Sequence, residues 1–203
     1  MAGFEPRNVS TRHVWSGEGG TSESEIVWDD VLVNSGLFQF RGTSDPTWRD
    51  WTVDSKTFRA LFFNSGDEIY FSIQLPHTYK EGMDIRPHVH WTDAGNGSSE
   101  SGHTVAWKLD YTWANVHDNF STSGTIDMTG TCSGSDDYHE VGAATSYPSG
   151  TGKEISSMLF CRLYRDSGDT WSGTGSSGPA LLQFDFHIPI SSDGSRQEWI
   201  KDD

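Results

Sequence analysis

Basic residues, cysteines and long apolar runs are all scarce in this chain, and each scarcity removes a class of function. Only 14 Lys and Arg stand against 29 Asp and Glu, a formal net charge of −15. The summed field therefore repels phosphate backbones and anionic lipid surfaces, and neither nucleic acid nor a membrane is an expected partner. The two cysteines provide no disulfide framework: Cys132 falls in a Gly/Ser loop, and Cys161 reads as a small buried hydrophobe in an apolar strand. No stretch approaches the roughly 18 apolar residues needed to cross a bilayer. The opening MAGFEPRNVSTRH has no apolar signal core, so the chain reads as made in a cytoplasm and not exported by the usual route.

Helical signals are also sparse. The one helix start is Asp45, placed to cap a short turn opened by Pro46 and carrying Trp48 and Trp51. What the chain has instead is aromatic residues, 9 Trp, 6 Tyr and 11 Phe, with 22 Gly in a total of 203 residues. A compact chain of this length hides roughly 70% of its unfolded surface, and the rings supply apolar area that the few aliphatic residues do not.

Period-two alternation dominates from residue 26 onward. Ile69, Phe71, Ile73 and Leu75 alternate with Tyr70, Ser72 and Gln74; Trp107, Leu109, Tyr111 and Trp113 alternate with Lys108, Asp110 and Thr112. Leu159, Cys161 and Leu163 form a third such stripe, and Leu182, Phe184, Phe186, Ile188 and Ile190 a fourth. Further strands are expected near 26–33, 36–41, 57–63, 85–92, 122–129 and 136–142. Turn-forming loops such as DAGNGSSESG and RDSGDTWSGTGSSGP separate them. Eight or more alternating strands without intervening helices predict an all-β chain, an antiparallel β-sandwich of jelly-roll type. Residues 1–25 are polar and aperiodic, and read as a flexible N-terminal arm ahead of a single domain over 26–203.

The chemistry-bearing candidates fall into three groups. His88-Val-His90 places two imidazoles on one face of one strand and resembles the first half of a cupin motif, although the glutamate expected a few residues later is missing. Metal binding would need a further ligand, from His187, Asp185 or His103, if their strands lie alongside; the alternative is a ladder of histidines on a polar face. Arg86, His88, Lys108, Asp110, Arg162, Asp185 and His187 all lie on the non-core side of strong strands, as a solvated face or a subunit contact. Trp48, Trp51 and Trp171 lie in or beside loops, where rings stack on a sugar face or cover the ends of the sandwich.

Catalytic signatures are absent. There is no G-x-S-x-G elbow and no Cys/His signature, and the acidic pairs Asp136/Asp137 and Asp166/Asp169 lie in loops suited to turns. Gly173-Thr-Gly175-Ser-Ser-Gly178 leads through Pro179 into a strand, where phosphate cradling would need a helix. The chain is accordingly expected to be non-enzymatic and to need no cofactor.

Four segments, LPHTYKEGMDIRPHVHWT at 75–92, WKLDYTWANV at 107–116, ISSMLFCRLYRD at 155–166 and LLQFDFHIPISSDGSRQEW at 181–199, together resemble a family of tailed-phage and prophage virion structural proteins. The resemblance implies a β-sandwich virion component: a capsid decoration (cement) or head-associated protein, or else a fibre or spike subunit that binds a host-surface glycan. It further implies self-association as a homotrimer, with the phage major capsid protein or another virion protein as partner. A cupin-like metal protein is the third reading.

Overall fold

A computed structural model describes residues 26–191, so the arm at 1–25 and the terminal GSRQEW lie outside the described residues. Ten strands follow in chain order: β1 Val27–Val33, β2 Thr47–Val53, β3 Lys56–Phe62, β4 Glu68–Gln74, β5 Arg86–Thr92, β6 Thr104–Ala114, β7 Ser123–Thr131, β8 His139–Ala144, β9 Met158–Arg165 and β10 Ala180–Ile190. All their pairings are antiparallel.

Two sheets pack face to face. One contains β1 and β3 on the same edge of β10, followed by β5 and the first half of β8; the other runs β4-β9-β6-β7. Successive strands from β3 to β10 alternate between the sheets, apart from the β6–β7 hairpin, which is the connectivity of a jelly roll. Strand β8 turns the corner: residues 139–142 pair with β5, and residues 143–144 pair with β7.

The alternating stripes explain the two layers. Ile69, Phe71 and Ile73, Trp107 and Leu109, Leu159, Cys161 and Leu163, and Phe184, Phe186 and Ile188 are all buried and fill the space between the sheets. Rings provide much of the contact, with Phe63 edge-on to Trp107 at 5.0 Å and Phe71 beside Phe184 at 5.1 Å. Trp91 needs a residue without a side chain opposite, since a Cβ on Gly130 would fall 2.4 Å from its Nε1. Buried Arg165 is satisfied by Asp169, with Nε to Oδ2 at 2.6 Å, and by the carbonyls of Phe63 and Trp171. Asp169 is thus a core ion-pair partner instead of a solvated loop acid.

Two local expectations are corrected. The helical turn at Asp45 is strand β2, because Trp48 and Trp51 extend along β3 while the Asp45 carboxylate accepts the N–H groups of Arg41 and Gly42 to close the preceding turn. The strand near 36–41 is a 3₁₀ turn at Ser35–Leu37 followed by a single bridge from Gln39 to Tyr70.

Candidate functional site

The polar-face candidates separate onto two different surfaces. Lys108, Asp110 and Arg162 project from the outer face of the β4-β9-β6-β7 sheet, where register places Asp110 across from Arg162. Arg162 donates from Nε to Glu68 Oε2 at 2.5 Å and from Nη1 to Asp110 Oδ2 at 2.9 Å. Glu68 also accepts from Arg41 and from the Tyr70 hydroxyl, each at 2.9 Å, and Thr125 donates to Asp110. Lys108 lies 3.4 Å from Asp127 and 3.3 Å from Asp166. Burial opposes the Glu68 charge, yet the hydrogen bonds from Arg162, Tyr70 and Arg41 outweigh it and hold its pKa below the ordinary glutamate value. Each charge here already has its complement.

The second surface is the outer face of the other sheet. Alternation sends Val89 and Trp91 into the core, so Arg86, His88 and His90 face outward from β5. A bulge between Leu181 and Gln183 resets β10, keeping Phe184 and Phe186 inward and turning Asp185 and His187 out. Register then sets Asp185 opposite His88 on one side, and Asp30 of β1 opposite His187 on the other. Arg86, opposite His187 in the register, stacks over Trp28 at 4.4 Å and Tyr147 at 5.0 Å.

Asp185 is the centre of the cluster. Its side chain is only 5% exposed, although it lies on an outer face, because imidazoles cover it. His88 Nδ1 is 3.6 Å from Oδ1, His90 Nε2 is 3.3 Å from Oδ2, and His187 Nε2 is 4.0 Å from Oδ2. The His88 and His187 rings are 3.9 Å apart. His187 Nε2 also lies 3.1 Å from Asp30 Oδ1, and His90 Nδ1 shares a 2.9 Å hydrogen bond with His139 Nε2. Asp185 Oδ1 and His88 Nδ1 are both buried and have no hydrogen-bond partner among the described residues. Burial alone would raise the Asp185 pKa, but His88, His90 and His187 outweigh it and hold the carboxyl below its usual value. Burial and the neighbouring His88 lower the pKa of His187.

One ligand atom each from His88, Asp185 and His187 falls within a 4.8 Å group. The structure thus brings His88 and His90 beside Asp185 and His187, two of the three further ligands the sequence offered, and adds Asp30 and His139. His103 lies elsewhere, bound to Glu100 through Nδ1 at 2.7 Å. The His88–His90 pair faces away from the ring-filled interior, unlike a site enclosed by the barrel. The residues missed were Asp30 and His139, and the step left open was the pairing of β5 with β10, on which the joining of His88-x-His90 with Asp185-x-His187 depends.

The three tryptophans do not share a surface. Trp171 is buried, edge-on to Trp91 at 5.7 Å, and its Nε1 donates to the Ser177 carbonyl. Trp48 and Trp51 are three residues apart in β2 and so point to opposite faces. Trp51 donates to Asp137 Oδ1 at 2.6 Å, which ties β2 to the loop before β8, and only Trp48 remains exposed among the three.

Two other features escaped the sequence reading. Ser156 Oγ lies 3.1 Å from His77 Nε2, a nucleophile–base spacing, but Ser156 is only 2% exposed and a substrate carbonyl cannot approach it. An open groove of about 380 Å³ crosses the outer face of β4, β9 and β6, lined by Tyr70, Ser72, Asp110, Thr112, Phe160 and Arg162 among others. At its rim Phe160, 51% exposed, meets Phe120, 48% exposed, edge-on at 5.3 Å. No protein-family model matches the chain, and no curated protein matches its sequence.

Proposed function

We propose that this chain is a non-enzymatic virion structural protein of a tailed phage, a head-associated decoration protein that acts as a homotrimer. The observation that carries the reading is the jelly-roll connectivity, an architecture that recurs in viral capsid domains. The same architecture serves lectins and cupins, so fold alone does not choose among them. Three further features favour a contact role. The net charge of −15 suits a soluble protein made in excess and recruited to a particle. The exposed Phe120–Phe160 pair beside an open groove is the kind of aromatic patch that anchors interfaces. The resemblance of residues 75–199 to virion structural proteins agrees with both.

A decoration protein works by mass action. It binds the assembled shell and not the dissociated subunits, which shifts the equilibrium toward the shell. The testing experiment is cosedimentation of the purified full chain with phage heads that lack it, with its mass in solution measured by light scattering. Saturable binding by a trimer at a fixed ratio to the major capsid subunit is the expected result. Absence of head binding would overturn the decoration reading and turn attention to a fibre or spike subunit, where the groove beside Phe160 is the surface for a host glycan.

A further inference from the structure

We propose that the outer face of β5 and β10 is a binding site for a divalent transition metal of the zinc class, with His88, Asp185 and His187 as ligands and Asp30 supplying a fourth oxygen at the rim. The proposal is independent of the virion reading. It starts from a polar anomaly. A carboxylate as buried as Asp185 needs its oxygens satisfied, yet Oδ1 has no hydrogen-bond donor among the described residues, and the buried Nδ1 of His88 has no partner either. The two atoms face each other at 3.6 Å, beyond hydrogen-bond length. A carboxylate oxygen and an imidazole nitrogen at that separation suit a cation that both can ligate.

The spacing fits such an ion. Zinc bound tetrahedrally at about 2.0–2.1 Å holds neighbouring ligand atoms roughly 3.3–3.5 Å apart. The cluster has 3.6 Å between His88 Nδ1 and Asp185 Oδ1, and 4.0 Å between His187 Nε2 and Asp185 Oδ2. With one ligand atom from each residue the group spans up to 4.8 Å, so gathering them onto one ion takes shifts of up to about 1.4 Å, which χ rotations of the two partly exposed rings supply. Asp30 Oδ1, 3.1 Å from His187 Nε2, is near enough to that ring to share an ion with it. Two imidazole nitrogens with carboxylate oxygens suit zinc, nickel or cobalt, whereas magnesium and calcium prefer sites made of oxygen alone.

The surroundings resemble the outer support of a metal centre. His90 lies against the other Asp185 oxygen at 3.3 Å, and its far nitrogen is fixed by His139 at 2.9 Å. When His139 donates to His90 Nδ1, a neutral His90 carries its proton on Nε2, the nitrogen nearest Asp185. The chain contributions come from β1, β5, β8 and β10, so an ion here would fasten the edge strand β1 to the sheet.

The test is calorimetric titration of Zn²⁺ into the full chain, freed of any affinity tag and stripped with chelator, alongside Asp185→Asn, His187→Ala and His103→Ala. The wild type is expected to bind one ion per chain, and His103→Ala, on a histidine far from the cluster, to bind it equally well. His187→Ala removes a partly exposed ring and leaves the core in place, so it carries the decision if Asp185→Asn loses its native circular dichroism. It is expected to weaken binding at least tenfold. Absence of saturable binding by the wild type, affinity unchanged in His187→Ala, or Mg²⁺ binding as tightly as Zn²⁺ would each overturn the site.

Discussion

The two outer faces of this sandwich carry similar residues and differ in how those residues are satisfied. On the β4-β9-β6-β7 face, Glu68 receives hydrogen bonds from Arg162, Arg41 and Tyr70, and Lys108 lies between two aspartates. On the β5–β10 face, three histidines crowd one buried aspartate and leave a carboxylate oxygen and a ring nitrogen without hydrogen-bond partners among the described residues. A closed network of charges stabilises the fold and has little left to offer a ligand. An incomplete one is an unmet requirement at a defined point, and that marks it as the place to seek function.

The largest expected difference between the faces comes from breaking the closed network. Glu68→Ala leaves Arg162 and Arg41 facing each other across the lost carboxylate. Deleting one partner of a buried pair costs about 3–5 kcal/mol, and the partial exposure of Arg162 puts this case near about 3 kcal/mol. Urea denaturation of the isolated protein measures it, and a change below about 1 kcal/mol would mean the network is not closed in solution.

Acid should act on the same elements. Glu68 and Glu100 both have pKa values held below the usual 4.5, each against the pull of burial, Glu68 by Arg162, Tyr70 and Arg41, Glu100 by Ser172 and His103. A lowered folded-state pKa means that the unfolded chain takes up protons first. The contribution is therefore complete above the ordinary glutamate range and is lost as pH falls through and below it. The melting temperature, followed downward from neutral pH, should show this loss beginning near pH 4.5, with a shallower fall in Glu68→Gln.

On the histidine face the expected stability change is smaller. Without metal, Asp185→Asn should shift stability by only about 1 kcal/mol, since the hydrogen bonds it surrenders are long or unmade. With excess Zn²⁺ the wild type should gain melting temperature while Asp185→Asn gains none, a contrast that thermal scans with and without the ion reveal. Smallest of all is Phe160→Ala. Its ring is half exposed, so stability should stay within about 0.5 kcal/mol while head binding in the cosedimentation assay weakens.

Much of this architecture could be read from period-two alternation, because a residue's inward or outward direction in a strand follows from its neighbours alone. That logic correctly turned Val89, Phe184 and Leu163 inward and His88, Asp185 and Arg162 outward. Local signals failed where two of them competed. Asp45-Pro46 resembles a helix start, but Trp48 and Trp51 pair along β3, and strand pairing prevailed. Trp171 sits in a Gly/Ser loop, where the sequence left open a ring stacked on a sugar or one covering the end of the sandwich; the loop folds over Trp91 and buries it, as the second reading has it. The grouping of His88 with Asp185 was beyond alternation, since it depends on β5 and β10 pairing in one register across most of the chain. The separation of Lys108, Asp110 and Arg162 from that group was hidden for the same reason: direction is local, and sheet membership is not.

The contrast between the faces is tested most directly by X-ray absorption at the zinc edge of the full chain loaded with one equivalent of Zn²⁺. The account predicts a nitrogen and oxygen shell at about 2.0–2.1 Å with the multiple scattering of two imidazole rings. A sulfur shell at about 2.3 Å, implicating Cys132 or Cys161, or a shell of oxygens without imidazole scattering, would contradict it.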